Sequence, residues 1–566
     1  MTQHGARRWP FLPALAATAA LAACGGTGGD SLPQLAQATP QSLAVGCSEL
    51  AGRIGALPAT TITATTNVPA GTLTVAGQPV REHCLVTGRM NERVSAVDNN
   101  AYAIGFQMRL PLNWNGRFMH QGNGGADGAV VTATGATGGG PLTHALHQGF
   151  AVLSSDAGHA GSLGTTFGVD PQARLDYGYQ AVAALTPMAK TLIERAYSKA
   201  PDRSYFAGCS NGGRHAMIAA TRYAADYDGI LAGAPGYNLP KAAIANIAGG
   251  QLYASVATSS NIATGFTAAE RSTVATAILG RCDALDGATD GIVQDVQACR
   301  TAFDLQRDVP TCTGARDGSC LSTAQKSAIG KIFSGPTTSN GERIYASFPY
   351  DPGIAQPGNA FWEFTAPLQL DSGAVGFVFK VPPEPVAGFN GPAFALNANL
   401  DTLVRQINAT DARYTESGMS LMTPPNPTDM GRLRDRGGKI IVYHGVSDPI
   451  FSVDDSETWY RGLQAANQGD ASRFARFFQI PGMGHCSGGP ATDQFDALTA
   501  LVDWVEKGQA PERIVASARG PGNPGAVNAD VPADWSPART RPLCPYPQVA
   551  RYNGGDLESA NSFICR

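Results

Sequence analysis

The stretch Ser204-Tyr205-Phe206-Ala207-Gly208-Cys209-Ser210-Asn211-Gly212-Gly213-Arg214-His215-Ala216-Met217 decides the fold. A short apolar run, Ser204 to Ala207, reads as a strand, and Gly213 to Tyr223 reads as a helix. Between them lies Gly208-Cys209-Ser210-Asn211-Gly212, a Gly-x-Ser-x-Gly elbow. Glycines at 208 and 212 permit a sharp turn that exposes the serine hydroxyl, where bulky residues would clash with the neighbouring strand and helix. Strand, elbow and helix in that order are the context in which a sharp turn exposes the Ser210 hydroxyl, as a nucleophile requires.

A serine nucleophile needs a base and an acid. His485 lies downstream in Gly482-Met483-Gly484-His485-Cys486, on a glycine-rich loop after a predicted strand ending at Ile480. Both Ser210 and His485 have a cysteine beside them, so a Cys209–Cys486 disulfide could hold the two loops together. The acid expected is Asp448, directly after the predicted strand Lys439 to Tyr443, with Asp454 and Asp455 as rivals. A carboxylate there can accept the imidazole Nδ1–H, fix its tautomer and stabilise the imidazolium. Asp156 precedes Ser210 and breaks the Ser, Asp, His order. The backbone N–H of Asn211 is the natural first oxyanion donor, and the loop Gln121-Gly122-Asn123-Gly124-Gly125 supplies the second, at Gly125.

Further strands are expected over 101–110, Phe150 to Ser154, Ile230 to Ala232 and Phe474 to Ile480, with helices over Tyr179 to Tyr197 and Ala497 to Lys507. Strands alternating with helices indicate an α/β fold with parallel neighbours. The rhythm breaks over 237–428, where four cysteines and many prolines and glycines occur. That stretch is read as a lid domain inserted into a catalytic domain built from 46–236 and 429–566, and substrate specificity is expected there. Trp362, Phe377, Phe379 and Phe451 are candidates for an aromatic-binding wall, and His444 for a pocket wall at the strand end beside the acid.

The 566 residues carry a net charge of −4 without a basic run beyond Arg7-Arg8, which argues against a nucleic-acid partner. Arg7-Arg8, the apolar stretch Phe11 to Ala22 and Leu21-Ala22-Ala23-Cys24 read over residues 1–24 as an export signal with a lipobox-like end. Lipidation at Cys24 would be the only membrane attachment, and an ordinary signal peptide cut nearby is the alternative. The apolar run falls short of the ~20 residues a bilayer span needs. Residues 25–45 read as a flexible tether. Setting Cys24 aside leaves ten of the eleven cysteines. Local spacing suggests Cys47–Cys84, Cys282–Cys299, Cys312–Cys320 and Cys544–Cys565 beside the long-range Cys209–Cys486, as suits an exported chain.

Cys282-Asp283-Ala284-Leu285-Asp286-Gly287-Ala288-Thr289-Asp290-Gly291-Ile292 converges three carboxylates in eight residues. Asp283, Asp286 and Asp290, with backbone carbonyls near Ala288 and Ile292, could hold a structural Ca²⁺, a hard cation that takes oxygen ligands. A solvated acidic turn is the bland alternative.

Together the Cys-Ser and His-Cys pairs, the intervening Asp, the acidic loop and the large insertion resemble the tannase/feruloyl esterase family. The likeness runs from about Cys47 to Cys565. Passages such as Gly233-Ala234-Pro235-Gly236-Tyr237 and Thr540-Arg541-Pro542-Leu543-Cys544 resemble the subgroup acting on terephthalate monoesters. The resemblance implies an α/β-hydrolase fold, a Ser210–Asp448–His485 triad, Gly125 and Asn211 as oxyanion donors, and a Ca²⁺ site at 282–292. It implies a carboxylic-ester hydrolase acting on small aromatic esters of feruloyl, galloyl or terephthaloyl type. The chain departs from the subgroup in carrying Asn211 where the subgroup has Glu. It also lacks any arginine between Arg343 and Arg405, where the subgroup grips a free carboxylate. The rival from another class is an exported lipoprotein that binds aromatic or glycan ligands without turnover.

Overall fold

The computed structural model describes Met1, residues 32–142 and residues 144–566. The export signal and Cys24 lie outside the described residues.

Nine strands form the central sheet: β1 (Thr60–Val68), β2 (His83–Val94), β3 (Ala101–Pro111), β4 (Arg117–Gly122), β5 (Ala151–Ser155), β6 (Arg203–Cys209), β7 (Gly229–Gly233), β8 (Lys439–Gly445) and β9 (Ala475–Ile480). Their order is β9-β8-β7-β6-β4-β5-β3-β2-β1. Strands β9 through β5 run parallel, while β3, β2 and β1 add an antiparallel edge. Seven helices of eleven or more residues accompany it: α1 (Ala181–Tyr197), α2 (Asn211–Arg222), α3 (Leu239–Ser255), α4 (Ala268–Cys282), α5 (Thr323–Ser334), α6 (Val453–Ala466) and α7 (Ala497–Lys507).

Successive side chains in a strand face opposite sides, so a strand buried on both faces must be apolar throughout. In β8, Ile440 and Val442 enter one core with Ile230 and Phe477, while Ile441 and Tyr443 enter the other with Leu231 and Phe478. Helix α7 covers the second face through Leu498, Leu501, Val502 and Val505. The strand and helix expectations hold to within a few residues at their ends.

Between β7 and β8 the chain leaves the sheet for a helical unit containing α3, α4 and α5, with no strand among its described residues. It has its own core, in which Tyr253, Phe266, Val274, Ile278, Ile329 and Phe364 are buried. Residues 32–45 depart from the expected tether, because carboxylates on the body capture their backbone. Ala38 N–H donates to Glu506 Oε2 (2.8 Å), Thr39 N–H to Asp202 Oδ2 (2.8 Å), and Gln41–Ser42 pairs with Asn113–Trp114. All five expected disulfides are present.

Candidate active site

Ser210 sits between the end of β6 and the start of α2, at φ 65° and ψ −127°. That backbone region is costly for a residue with a side chain and persists only where the surroundings enforce it. Here Ser210 N–H donates to the Gly233 carbonyl (3.0 Å), and Ser210 O accepts from Arg214 N–H (3.0 Å). The flanking glycines are required by close approach. A Cβ on Gly208 would lie 2.6 Å, and one on Gly212 2.3 Å, from the Gly122 carbonyl oxygen. The turn is therefore wedged between its own helix and the end of β4.

His485 Nδ1 and Asp448 Oδ2 are 2.7 Å apart. Asp448 Oδ1 accepts from the N–H groups of Ile450 (3.0 Å) and Phe451 (3.1 Å), which fixes the carboxylate. Burial alone would raise this carboxyl. The charge of His485 and the bonds from His444 and His485 outweigh burial and hold it well below the usual carboxylate range. A carboxylate on Nδ1 fixes the proton there and leaves Nε2 as the basic nitrogen. Nε2 is buried without a hydrogen-bond partner. The Cys209–Cys486 disulfide joins residues 277 positions apart and ties the serine loop to the histidine loop.

The rival acids are engaged elsewhere. Asp454 pairs with Arg300 (Nη1 to Oδ2, 2.9 Å), and Asp455 accepts from Tyr237 Oη (3.2 Å to Oδ1) and from Asn238 Nδ2. Trp362 and Phe451 meet the His485 ring edge-on, with centroids 5.0 and 5.3 Å away. Trp362 and Asp448 also line a cavity of ≈ 70 Å³ against the inserted unit, together with Tyr253, Phe348 and Glu363.

Three expected wall residues are placed differently. Phe377 and Phe379 are 3% and 1% exposed in the core, where Phe377 packs on Phe389. Their stretch, Ala374–Phe379, is a helical segment buried from Val375 to Phe379, so they are packing residues. His444 is fully buried, with Nδ1 at 2.8 Å from Ser456 Oγ and Nε2 at 2.9 Å from the Phe451 carbonyl and 3.3 Å from Asp448 Oδ2. It backs the acid from within the core.

Gly125 has φ +63°, and a Cβ there would meet nothing within 4 Å. A Cβ on its neighbour Gly124 would stand 3.8 Å from Ser210 Cβ, so this loop borders the nucleophile. Asn211 opens α2, where first-turn N–H groups lack intrahelical partners. One contributor escaped sequence reasoning: Asp351, in the inserted unit. It is buried and accepts from Ser447 Oγ, from Gly353 N–H (2.9 Å) and from Gly482 N–H (3.2 Å). It thus joins the insertion to both the acid loop and the base loop. No motif marks it, because the acid-loop and base-loop groups it holds, Ser447 and Gly482, lie 96 and 131 positions away.

The acidic loop is folded tightly on itself. Asp283 accepts from the N–H groups of Asp290 and Gly291, Asp286 Oδ1 from Ala288 N–H (2.8 Å), and Asp290 Oδ1 from Ile292 N–H (3.1 Å). Asp290 Oδ2 pairs with Arg541. Among the described residues, no three His, Cys, Asp or Glu side chains form a metal cluster by themselves. Asp286 Oδ2 is nevertheless buried with no partner, and burial, reinforced by Asp290 and Asp283, pushes this carboxyl up to about 7. An orphaned, charge-crowded carboxylate fits a hard cation that takes oxygen ligands.

The family model for tannase and feruloyl esterase matches residues 84–566. The chain is 40% identical over 531 residues to a mono(2-hydroxyethyl) terephthalate hydrolase of Piscinibacter sakaiensis, covering 87% of this chain and 86% of that protein. It is 29% identical over 475 residues to a probable feruloyl esterase B-1 of Neosartorya fischeri, covering 81% and 82%. The crystal structure of feruloyl esterase B from Aspergillus oryzae superposes with a TM-score of 0.73 at 25% identity, covering 92% of this chain and 99% of that one. The fold and these likenesses define a carboxylic ester hydrolase of the α/β-hydrolase class. The chain belongs to the tannase and feruloyl esterase family.

Proposed function

We propose that the protein hydrolyses esters of aromatic carboxylic acids through a Ser210–His485–Asp448 triad and an acyl-enzyme. His485 Nε2 takes the proton of the Ser210 hydroxyl as its oxygen attacks the ester carbonyl. The Gly125 and Asn211 N–H groups receive the developing oxyanion. His485 then protonates the leaving alcohol, and water, activated by the same nitrogen, releases the acid. Asp448 holds the ring in the productive tautomer and stabilises the imidazolium. The observation that carries this reading is the 2.7 Å contact between His485 Nδ1 and Asp448 Oδ2, on a loop clamped to the serine elbow through Cys209–Cys486.

The acyl group is an aromatic acid of feruloyl, galloyl or terephthaloyl type, by likeness to the relatives named above. Uncharged or phenolic acids suit this chain better than a free carboxylate. Lys380, the one cation between Arg343 and Arg405, is buried and already paired with Glu384 at 2.5 Å. A carboxylate held in a dry pocket without a partner is costly. The inserted helical unit acts as a lid, with Trp362 as its aromatic contact beside His485. Asp283, Asp286, Asp290 and the carbonyls of Ala288 and Ile292 hold a structural Ca²⁺. The five disulfides and the N-terminal sequence support export.

Ser210→Ala tests the assignment. Hydrolysis of methyl ferulate, methyl gallate and mono(2-hydroxyethyl) terephthalate is expected to fall at least ~1,000-fold. Undiminished turnover by the variant would remove the assignment. The terephthalate monoester is expected to be the poorest of the three substrates for the unaltered enzyme.

A further inference from the structure

The loop carrying Gly125 and the helix start carrying Asn211 are joined by a closed circuit of hydrogen bonds. Asp127 lies two residues after Gly125, in the left-handed region at φ 57°, a conformation that side chains rarely adopt. Its carboxylate is 2% exposed. One oxygen, Oδ2, accepts from Asn211 Nδ2 (2.8 Å) and contacts His215 Nε2 (2.9 Å). The Asn211 amide is oriented from its other end, because Arg214 Nε donates to Asn211 Oδ1 (2.7 Å). Arg214 continues the circuit by donating to the carbonyls of Tyr177 (3.0 Å) and Gly178 (2.8 Å). Tyr177 Oη closes it by donating to the Gly125 carbonyl (3.3 Å). Asn211, Arg214, His215 and Tyr177 are all buried.

Asp127 touches neither Ser210 nor His485 by any hydrogen bond, so the chemistry described above leaves it without a task. Yet it bridges the two residues whose backbone N–H groups would face the oxyanion. Such donors act only when aimed at the place where charge develops, and small misplacements cost rate. A bond between the side chain of one donor residue and the loop of the other is a direct way to set their separation. We propose that Asp127 is a positioning residue for the oxyanion hole, setting the Gly125 and Asn211 N–H groups relative to each other through the Asn211 side chain. This inference rests on the serine-hydrolase reading and deepens it. It also gives the Asn at 211 a role of its own, since a glutamate in its place would set two carboxylates against each other.

The test uses the full-length protein with a p-nitrophenyl ester and a trifluoromethyl ketone, which forms a tetrahedral oxyanion on a reactive serine. Asp127→Ala is expected to lower kcat about 10- to 100-fold with KM within about twofold, and to weaken the ketone by a similar factor. Asn211→Ala should do the same, and the double variant should be no worse than Asp127→Ala, because both break one link. Asp127→Asn keeps an acceptor oxygen and should recover most of the loss. Fluorophosphonate labelling of the unaltered enzyme, with melting curves for each variant, separates the possible failures. If the unaltered enzyme is not labelled at Ser210, the hydrolase reading itself falls. If it is labelled, but folded Asp127→Ala keeps full kcat, raises KM alone or adds its loss to that of Asn211→Ala, the positioning role is overturned.

Discussion

Buried carboxyls outside the proposed triad give the protein a pH signature at the scale of single residues. Asp371 is buried in the inserted unit with Oδ2 unpartnered, and burial pushes its carboxyl up to about 8. The native state therefore keeps a proton that an unfolded chain releases near pH 4. Between roughly pH 4 and pH 8 the folded form binds more protons than the unfolded form. Stability then falls as pH rises across that window, by at most about 1.4 kcal/mol per pH unit from this group. Asp371→Asn is expected to raise the melting temperature at pH 8, with the gain vanishing toward pH 4. Melting curves at several pH values check this, and parallel wild-type and variant profiles would refute it. Asp448 behaves oppositely. Its carboxyl is held low, so the stability it contributes is present above the unfolded value and is lost only as pH falls through its native value in strong acid.

What single residues reveal in the sequence is local chemistry. Ser210, Asp448 and His485 are legible because each sits in a short motif at the end of an apolar run. The elbow's glycines are required by the close approach of the turn to the Gly122 carbonyl. Phe377 and Phe379 show the limit: aromatic spacing does not say whether a ring faces a pocket or a core. Asp127 and Asp351 were invisible for a different reason, since their partners lie about 85 and about 100 positions away. Only the folded chain brings such pairs together.

Among the elements, the acidic loop between α4 and the helix Val296–Ala302 carries its own prediction. The proposed divalent cation would offset the repulsion among the loop's crowded carboxylates, so chelation with EGTA should lower the melting temperature. Ca²⁺ should restore it in a concentration-dependent way, as mass action on the native state requires. Identical melting curves with and without EGTA would remove the site. The strands of the sheet were the most legible elements, because β6, β7 and β8 are apolar on both faces and β3 alternates. The strands β1 and β2 carry no clean period in the sequence, as their half-exposed faces mix threonine and charge with apolar residues. Within 237–428, prolines and glycines obscured helices such as α3, whose burial is nearly all round and leaves no periodic stripe.

At the scale of the whole molecule, one covalent link and one inserted unit hold the site together. The Cys209–Cys486 bridge closes a loop of 277 positions, for which chain entropy suggests a stabilisation of roughly 5 kcal/mol. Its more specific effect is on geometry, because it adjoins both Ser210 and His485. Replacing both cysteines by serine should lower kcat at least about tenfold, whereas the same change at Cys312 and Cys320, 8 positions apart in the insertion, should leave kcat within about twofold. Equal effects at the two bridges would deny Cys209–Cys486 its special place. The N-terminal stretch teaches a related lesson. Residues 32–45 look like a tether by composition, yet Glu506 and Asp202 capture their backbone.

The central claim is that Ser210 is the nucleophile activated by His485. It is tested most directly by treating the native protein with a fluorophosphonate and mapping the adduct by mass spectrometry. One adduct per chain on Ser210, abolished by His485→Ala in a variant that still folds, is the predicted result. A native protein that stays unlabelled, or carries its adduct on another residue, would contradict the account.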